Sequence, residues 1–202
     1  MNEVLDDEPK HLMEYILPLF PNNFKGIAID IGAYDPIWIN NTYELEQRGW
    51  NCYCIEPNPH MISKLKLHRK NVLEYAVGNR NEDNVNFYIF QKPIVNEAGD
   101  TGLIYKDSMR KYLTETIKVK LRTFSWLMGE QIHENHIDLL SIDVEGTEMD
   151  VLSTFDSIKW QPKVIIIENL SQTIDQHIWF KEHGYTRNNR LVFNDIYVKN
   201  NT

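Results

Sequence analysis

The stretch Ile27-Ala28-Ile29-Asp30-Ile31-Gly32-Ala33-Tyr34-Asp35 decides the fold. Apolar residues lead to an acid, then a glycine, then a polar turn. A run this short and this apolar reads as a strand buried on both faces, the kind found in a parallel sheet. Gly32 allows a tight turn where a ligand can approach the backbone. An acid at such a strand end faces the crevice in which open α/β sheets bind ligands.

The pattern recurs down the chain. Cys52 to Ile55 is a second apolar run, ending in Glu56-Pro57-Asn58. Val72 to Val77 is a third, ending in Gly78-Asn79; Ile137 to Ile142 is a fourth, ending in Asp143-Val144-Glu145-Gly146; Val164 to Ile167 is a fifth, ending in Glu168-Asn169. Between them lie helical stretches at 39–48, closed by Gly49, at 59–68, and at 173–183, stopped by Gly184. Thr147, with Asp150 three residues on, predicts a capped helix carrying Val151, Leu152, Phe155 and Ile158. Phe124 to Met128 predicts a short helix. Alternation of strand and helix makes this a doubly wound α/β sheet, mostly parallel. The tail from Tyr185 to Val198 predicts two strands turning at Asn188-Asn189.

Three segments stand apart. Residues 1–25 predict a helical extension, with Leu12, Tyr15, Ile16 and Leu19 as its apolar stripe, ahead of a domain at 26–202. Asn84 to Gln91 and Ile117 to Leu121 alternate apolar and polar, as strands with one wet face do. Residues 92–115 hold Pro93, Gly99, Gly102 and many charges. A connection this long predicts a lid or acceptor loop, with Tyr105 and Tyr112 to stack on a sugar and Asp107 and Ser108 to bind hydroxyls.

The 202-residue chain is 42% hydrophobic and 25% charged, ordinary for one globular domain. Its net charge of −8 argues against nucleic acid, which wants a basic face. No apolar run is long enough to span a membrane. Cys52 and Cys54 point to one side of one strand and read as core residues of a cytoplasmic, reducing environment.

Glu56 follows Asp30 by 26 residues, near the interval of about 20 at which an acid accepts hydrogen bonds from a ribose. The G-x-G-x-x-G fingerprint that presses backbone against a pyrophosphate is absent, which counts against a nicotinamide oxidoreductase. An acid before the glycine suits a ligand with positive charge and a ribose but no phosphate. S-adenosylmethionine is such a ligand.

Asp30-Ile31-Gly32-Ala33, Glu56-Pro57-Asn58, Ala76-Val77-Gly78 and above all Ile137 to Glu148 resemble the FkbM family of S-adenosylmethionine-dependent methyltransferases, over about residues 26–170. The resemblance implies the seven-stranded class I methyltransferase fold, Rossmann-like, with a C-terminal antiparallel hairpin. It implies O-methylation of hydroxyls on sugars, glycans or glycosylated small molecules. By position, Asp30, Gly32, Ala33 and Tyr34 line the methionine end of the donor, Tyr34 standing where the family has Asn. Glu56 holds the ribose beside Pro57 and Asn58, Ala76 and Val77 flank the adenine, and Asp143 meets the cofactor at the reacting end.

Methylating an alcohol needs a base or a metal. Asp143, Glu168 and Asn169 are hard oxygen ligands, a set that suits Mg²⁺ or Mn²⁺. Acid at one strand end with acid-Asn at the next is similar to the metal site of catechol-type O-methyltransferases. Those enzymes carry a lysine base three residues after the first metal Asp; here that position is Gly146. The candidate catalytic groups are therefore Asp143, Glu145 and, behind them, His177. The competing class is a module that binds the donor without catalysis, which need not keep Asp143, Glu145 and Glu168.

Overall fold

A computed structural model describes residues 8–90, 101–170 and 172–200. The first run forms strand β1 (Ile27–Ile31), and the second forms β2 (Asn51–Ile55). They pair in parallel, Ile31 opposite Ile55. The remaining strands of this sheet are β3 (Asn71–Leu73), β8 (Leu139–Ile142), β9 (Val164–Glu168), β10 (Tyr185–Arg190) and β11 (Asn194–Lys199). Their order is β10-β11-β9-β8-β1-β2-β3. All neighbours are parallel except β11, which runs antiparallel to both β9 and β10. This is the doubly wound seven-stranded sheet with a C-terminal hairpin that the sequence predicts.

Strand alternation sorts the core onto two faces. Ala28, Cys52, Leu139, Val164, Ile166 and Ile196 meet Leu12, Met13 and Ile16 of α1 (Glu8–Ile16) and Leu45 of α2 (Tyr43–Gln47). Leu65 of α3 (Pro59–His68) covers Cys54 on that side. Ile29, Ile31, Leu140, Ile142, Ile165 and Ile167 face α4 (Phe124–Leu127), α5 (Glu148–Ser153) and α6 (Ile174–Glu182). Burying one such aliphatic side chain is worth about 1.5–3 kcal/mol, so helices on both faces are obligatory for strands this apolar. Cys52 and Cys54 are buried free thiols, and burial pushes the Cys52 thiol up to about 12. Among the described residues no helix is long and apolar enough to cross a membrane.

The structure departs from the sequence reading at several points. The third run breaks after Leu73: Ala76–Val77 form β4, which leaves the main sheet for a second one. That sheet has the order β4-β7-β5-β6, from β5 (Glu82–Phe90), β6 (Thr101–Gly102) and β7 (Leu113–Arg122). Phe87, Val119 and Leu121 pack against Ala76 as its core, which is what the alternation at 84–91 and 117–121 encodes. Within the expected lid at 92–115 lie β6, a 3-10 turn at Asp107–Tyr112 and the start of β7, and its residues 92–100 lie outside the described residues. Tyr105 rests edge-on against Tyr88, 5.3 Å between ring centres, where it braces this sheet.

Helix α2 begins at Tyr43, not 39, because Asp35 Oδ1 accepts the amides of Ile37 and Trp38 and orders the preceding loop as turns. The C-terminal turn falls at residues 191–193, and Asn188 sits in an irregularity of the β10–β11 pairing. Tyr15 of α1 is 41% exposed, so the buried stripe there is Leu12, Met13 and Ile16.

Candidate functional site

The carboxyl ends of β1, β2, β8 and β9 share one edge, and the second sheet hangs beside it. Gly32, at φ +82°, makes the closest passage there. A Cβ on it would lie 1.6 Å from the Asp143 carbonyl oxygen, so only glycine lets the turns after β1 and β8 pack backbone to backbone. The amides of Gly32 and Ala33 donate to the Ile55 carbonyl at 2.9 and 3.2 Å and lock the turn to β2.

A pocket opens against this turn. One wall is Ile31, Gly32, Tyr34, Glu56 and Pro57; the other is Ala76, Val77 and Phe87 of the second sheet, with Leu103 and Tyr75. Asp143 and Glu145 close one end. Glu56 is 3% exposed. Its Oε2 accepts the Tyr34 amide at 2.9 Å and its Oε1 the Asn58 amide at 2.8 Å. Burial still pushes the carboxyl from an ordinary 4.5 to about 7, against the pull of those two amides. Each oxygen keeps a second lone pair, so Glu56 is held rigidly and retains capacity for two hydroxyl donors.

At the pocket's end the registry of β8 with β9, Ile142 opposite Ile167, sets residues 143 and 168 side by side. Asp143, Glu145 and Glu168 each offer an oxygen within 4.8 Å of the others. Burial, then Glu168, Glu145, Glu148 and Asp30, raise the Asp143 carboxyl well above the carboxylate range. Glu145 takes left-handed backbone, φ 60°, followed by Gly146 at 107°. Glu148 Oε1 holds that turn by accepting the amides of Gly146 at 3.0 Å and Val144 at 3.3 Å. The cap expected of Thr147 is absent: its side chain accepts none of the first-turn amides, and the Asp150 amide goes to its carbonyl at 3.0 Å. Lys106, from the connection between β6 and β7, donates to Glu145 Oε2 at 3.2 Å and ties the second sheet to this end.

The structure brings Gly32, Tyr34, Glu56, Pro57, Ala76, Val77, Asp143 and Glu145 to the pocket. The other candidates go elsewhere. Asp30 points beneath the turn, where its Oδ2 accepts Thr42 Oγ1 at 2.8 Å. Ala33 is buried with Cys54 and Leu65. Asn58 caps α3, its Oδ1 accepting the His60 amide at 3.0 Å. Asn169 donates from its Nδ2 to Asp195 at 2.8 Å and accepts the Thr173 amide on its Oδ1 at 2.9 Å. Glu145 joins Asp143 and Glu168 in the acid cluster. His177 lies exposed on α6, its ring 6.4 Å from that of Tyr197, and is not among the pocket residues. The sequence reading missed Ile39, Tyr75, Phe87, Leu103 and Lys106. For Phe87 the alternation was the signal; Lys106 carried none, because its ion pair depends on tertiary packing.

A profile of the methyltransferase FkbM domain matches residues 30–186. No curated protein matches the chain. Among solved structures, it is similar to methyltransferase FkbM from Methylobacillus flagellatus KT, with a TM-score of 0.53 and 13% identity, covering 95% of this chain and 50% of that one. The likeness is one of fold, and the chain spans half that protein's length. A looser likeness, TM-score 0.43 at 10% identity, links it to precorrin-6y C5,15-methyltransferase from Geobacter metallireducens GS-15, covering 100% of this chain and 93% of that one. Nothing about this chain follows from the looser likeness.

Proposed function

The chain belongs to the FkbM methyltransferase family, and from that premise we propose that it is an S-adenosylmethionine-dependent O-methyltransferase. Its acceptor on this reading is a hydroxyl of a sugar, a glycan or a glycosylated small molecule, with a divalent cation assisting. Family membership implies the donor. One observation carries its placement: Glu56, buried and fixed by two backbone amides, faces the pocket with acceptor capacity to spare. A ribose diol fits that demand, since it presents two hydroxyl donors. Ala76 and Val77 offer an apolar wall for a flat base. The acids at the far end suit a sulfonium, and the missing glycine fingerprint leaves no cradle for a pyrophosphate.

When bound, S-adenosylmethionine supplies an electrophilic methyl on sulfur. The chain's task is then to fix an acceptor oxygen in line with it, exclude water and take the hydroxyl proton. Positioning of this kind contributes up to about 7–11 kcal/mol in ideal cases. Phe87 of the second sheet and Leu103, over the pocket, exclude water. The proton goes to a carboxylate oxygen of Glu145 or Asp143, the two acids that close the end of the cavity away from Glu56. Asp143, Glu145 and Glu168 are the oxygens that would hold Mg²⁺ or Mn²⁺, since a cation relieves the repulsion that raises Asp143. Such an ion supplies a Lewis acid that lowers the pKa of a hydroxyl beside it.

The test is turnover of donor with a panel of deoxysugars and vicinal diols, with and without Mg²⁺ or Mn²⁺. Methyl transfer to a hydroxyl that stops on chelation and returns with metal is expected. Full turnover in chelator after metal stripping removes the cation; donor binding with no transfer to any hydroxyl favours a binding module.

A further inference from the structure

We propose that Arg69, at the carboxyl end of α3, is the positioning residue that holds loop 33–42 in the conformation that binds the donor. The proposal rests on reading the pocket as the donor site. Arg69 is not among the pocket residues, and its side chain is wholly buried. Its guanidinium reaches the loop at three places. Nη1 donates to Asn40 Oδ1 at 2.7 Å and to the Pro36 carbonyl at 3.3 Å; Nη2 donates to Thr42 Oγ1 at 2.8 Å. Nε donates to Glu46 Oε2, and Glu46 Oε1 accepts the Lys70 amide at 3.1 Å, closing the cluster.

Asn40 passes this hold upward. Its Nδ2 donates to the carbonyls of Ala33 at 2.9 Å and Asp35 at 3.0 Å, while its Oδ1 also accepts the Thr42 amide. Thr42 in turn donates to Asp30, at the end of β1. The loop needs such a brace. Tyr34 and Ile39, the two loop residues that line the pocket, both sit in left-handed backbone at φ 45° and 52°. Side chains other than glycine adopt that region only where surrounding structure over-determines it. Tyr34 also gives Glu56 one of its two amides, so the loop's conformation sets the acid that the donor meets. Only a planar fork with five donors serves Glu46 and three loop acceptors together; a lysine ammonium has three donors and no fork.

The test is calorimetric titration with S-adenosylmethionine, beside hydrogen–deuterium exchange, on the full chain as wild type, R69K, N40A and R69K/N40A. Lysine keeps a charge opposite Glu46 and Asp30, and Asn40→Ala leaves every one of these charges paired. If the working loop is populated one time in ten, the dissociation constant for the donor rises about tenfold. That rise is expected in each single variant, with a rise in the double that falls short of the product of the two, because the Arg69–Asn40 bond is shared between them. Amide exchange over 33–42 should quicken while β8 is unchanged. Dissociation constants within about twofold of wild type in both single variants overturn the proposal, as does a double variant weakened by the product of the two. If wild type binds no donor, the donor reading falls, and exchange alone decides the role of Arg69. Exchange over 33–42 unchanged in R69K and N40A then overturns it.

Discussion

Two charged clusters, one buried and one half-buried, meet at the carboxyl edge of the sheet, within electrostatic reach, since Asp30 of one helps raise Asp143 of the other. In the first, Arg69 faces Glu46 and Asp30 through a net of hydrogen bonds. Burial raises the Asp30 carboxyl, but Arg69 and Thr42 pull it back. In the second, Asp143, Glu145 and Glu168 crowd together, with Lys106 touching Glu145 at 3.2 Å from a partly exposed position. Charge that is compensated inside the protein holds a shape. Acids crowded beside a cavity, where their mutual repulsion raises Asp143, favour a proton, a cation or a cationic ligand there.

The contrast breaks most visibly in turnover. Asp143→Ala should cut methyl transfer by more than about 100-fold, the scale of losing a positioned acid or base, while donor affinity is largely kept. Undiminished turnover, read from initial rates at saturating donor, would place the chemistry elsewhere. Stability is the next test, and the two clusters should answer with opposite signs. Arg69→Met strands Glu46 and Asp30 and should cost about 3–5 kcal/mol in urea unfolding. Asp143→Asn relieves repulsion and should stabilise the metal-free chain at pH 8. A shared sign would erase the distinction between the clusters.

Added cation sharpens it further. Mg²⁺ or Mn²⁺ at a hundred times its dissociation constant should stabilise wild type by about 2.7 kcal/mol, seen as a rise in thermal midpoint. Asp143→Asn and Glu168→Gln should remove the rise, whereas Asn169→Ala should keep it. A further test concerns Glu56, buried like the first cluster. Its folded value near 7 lies above its ordinary 4.5, so the folded chain holds a proton that the unfolded chain releases. Its share of stability is complete below pH 4.5, falls as pH rises to 7 and is flat above. Urea midpoints at pH 5 and pH 8 should differ less in Glu56→Gln than in wild type. An equal difference would mean that Glu56 does not titrate there.

The centre of the main sheet was legible because β1, β2, β8 and β9 each carry an apolar run that ends in a turn residue, whereas β10 is polar from Thr186 to Arg190 and its turn was misplaced. The strand ends Gly32, Glu56 and Asp143 were legible for the same reason: chain position alone puts them at one edge. What position does not give is which way a side chain turns. Asp30 and Glu56 end neighbouring strands, yet only Glu56 enters the pocket, because Thr42 and Arg69 draw Asp30 beneath it. Asn169 follows the last residue of β9 and bonds Asp195, while Glu145, from the turn after β8, joins Asp143 and Glu168, a contact that only tertiary packing sets. The second sheet was half legible. Its strands show alternation, but the break after Leu73 that sends Ala76 and Val77 into it leaves no mark in hydropathy.

The central claim is that the donor lies at the carboxyl edge with its ribose on Glu56. The direct measurement is calorimetric titration of S-adenosylmethionine into wild type and Glu56→Ala at pH 8, where the carboxyl is ionised. Two charge-assisted hydrogen bonds at about 1.5 kcal/mol or more each predict one site per wild-type chain and binding at least about 100-fold weaker in the variant. A wild type that takes up no donor, or a folded variant that binds it as tightly as wild type, would contradict the account.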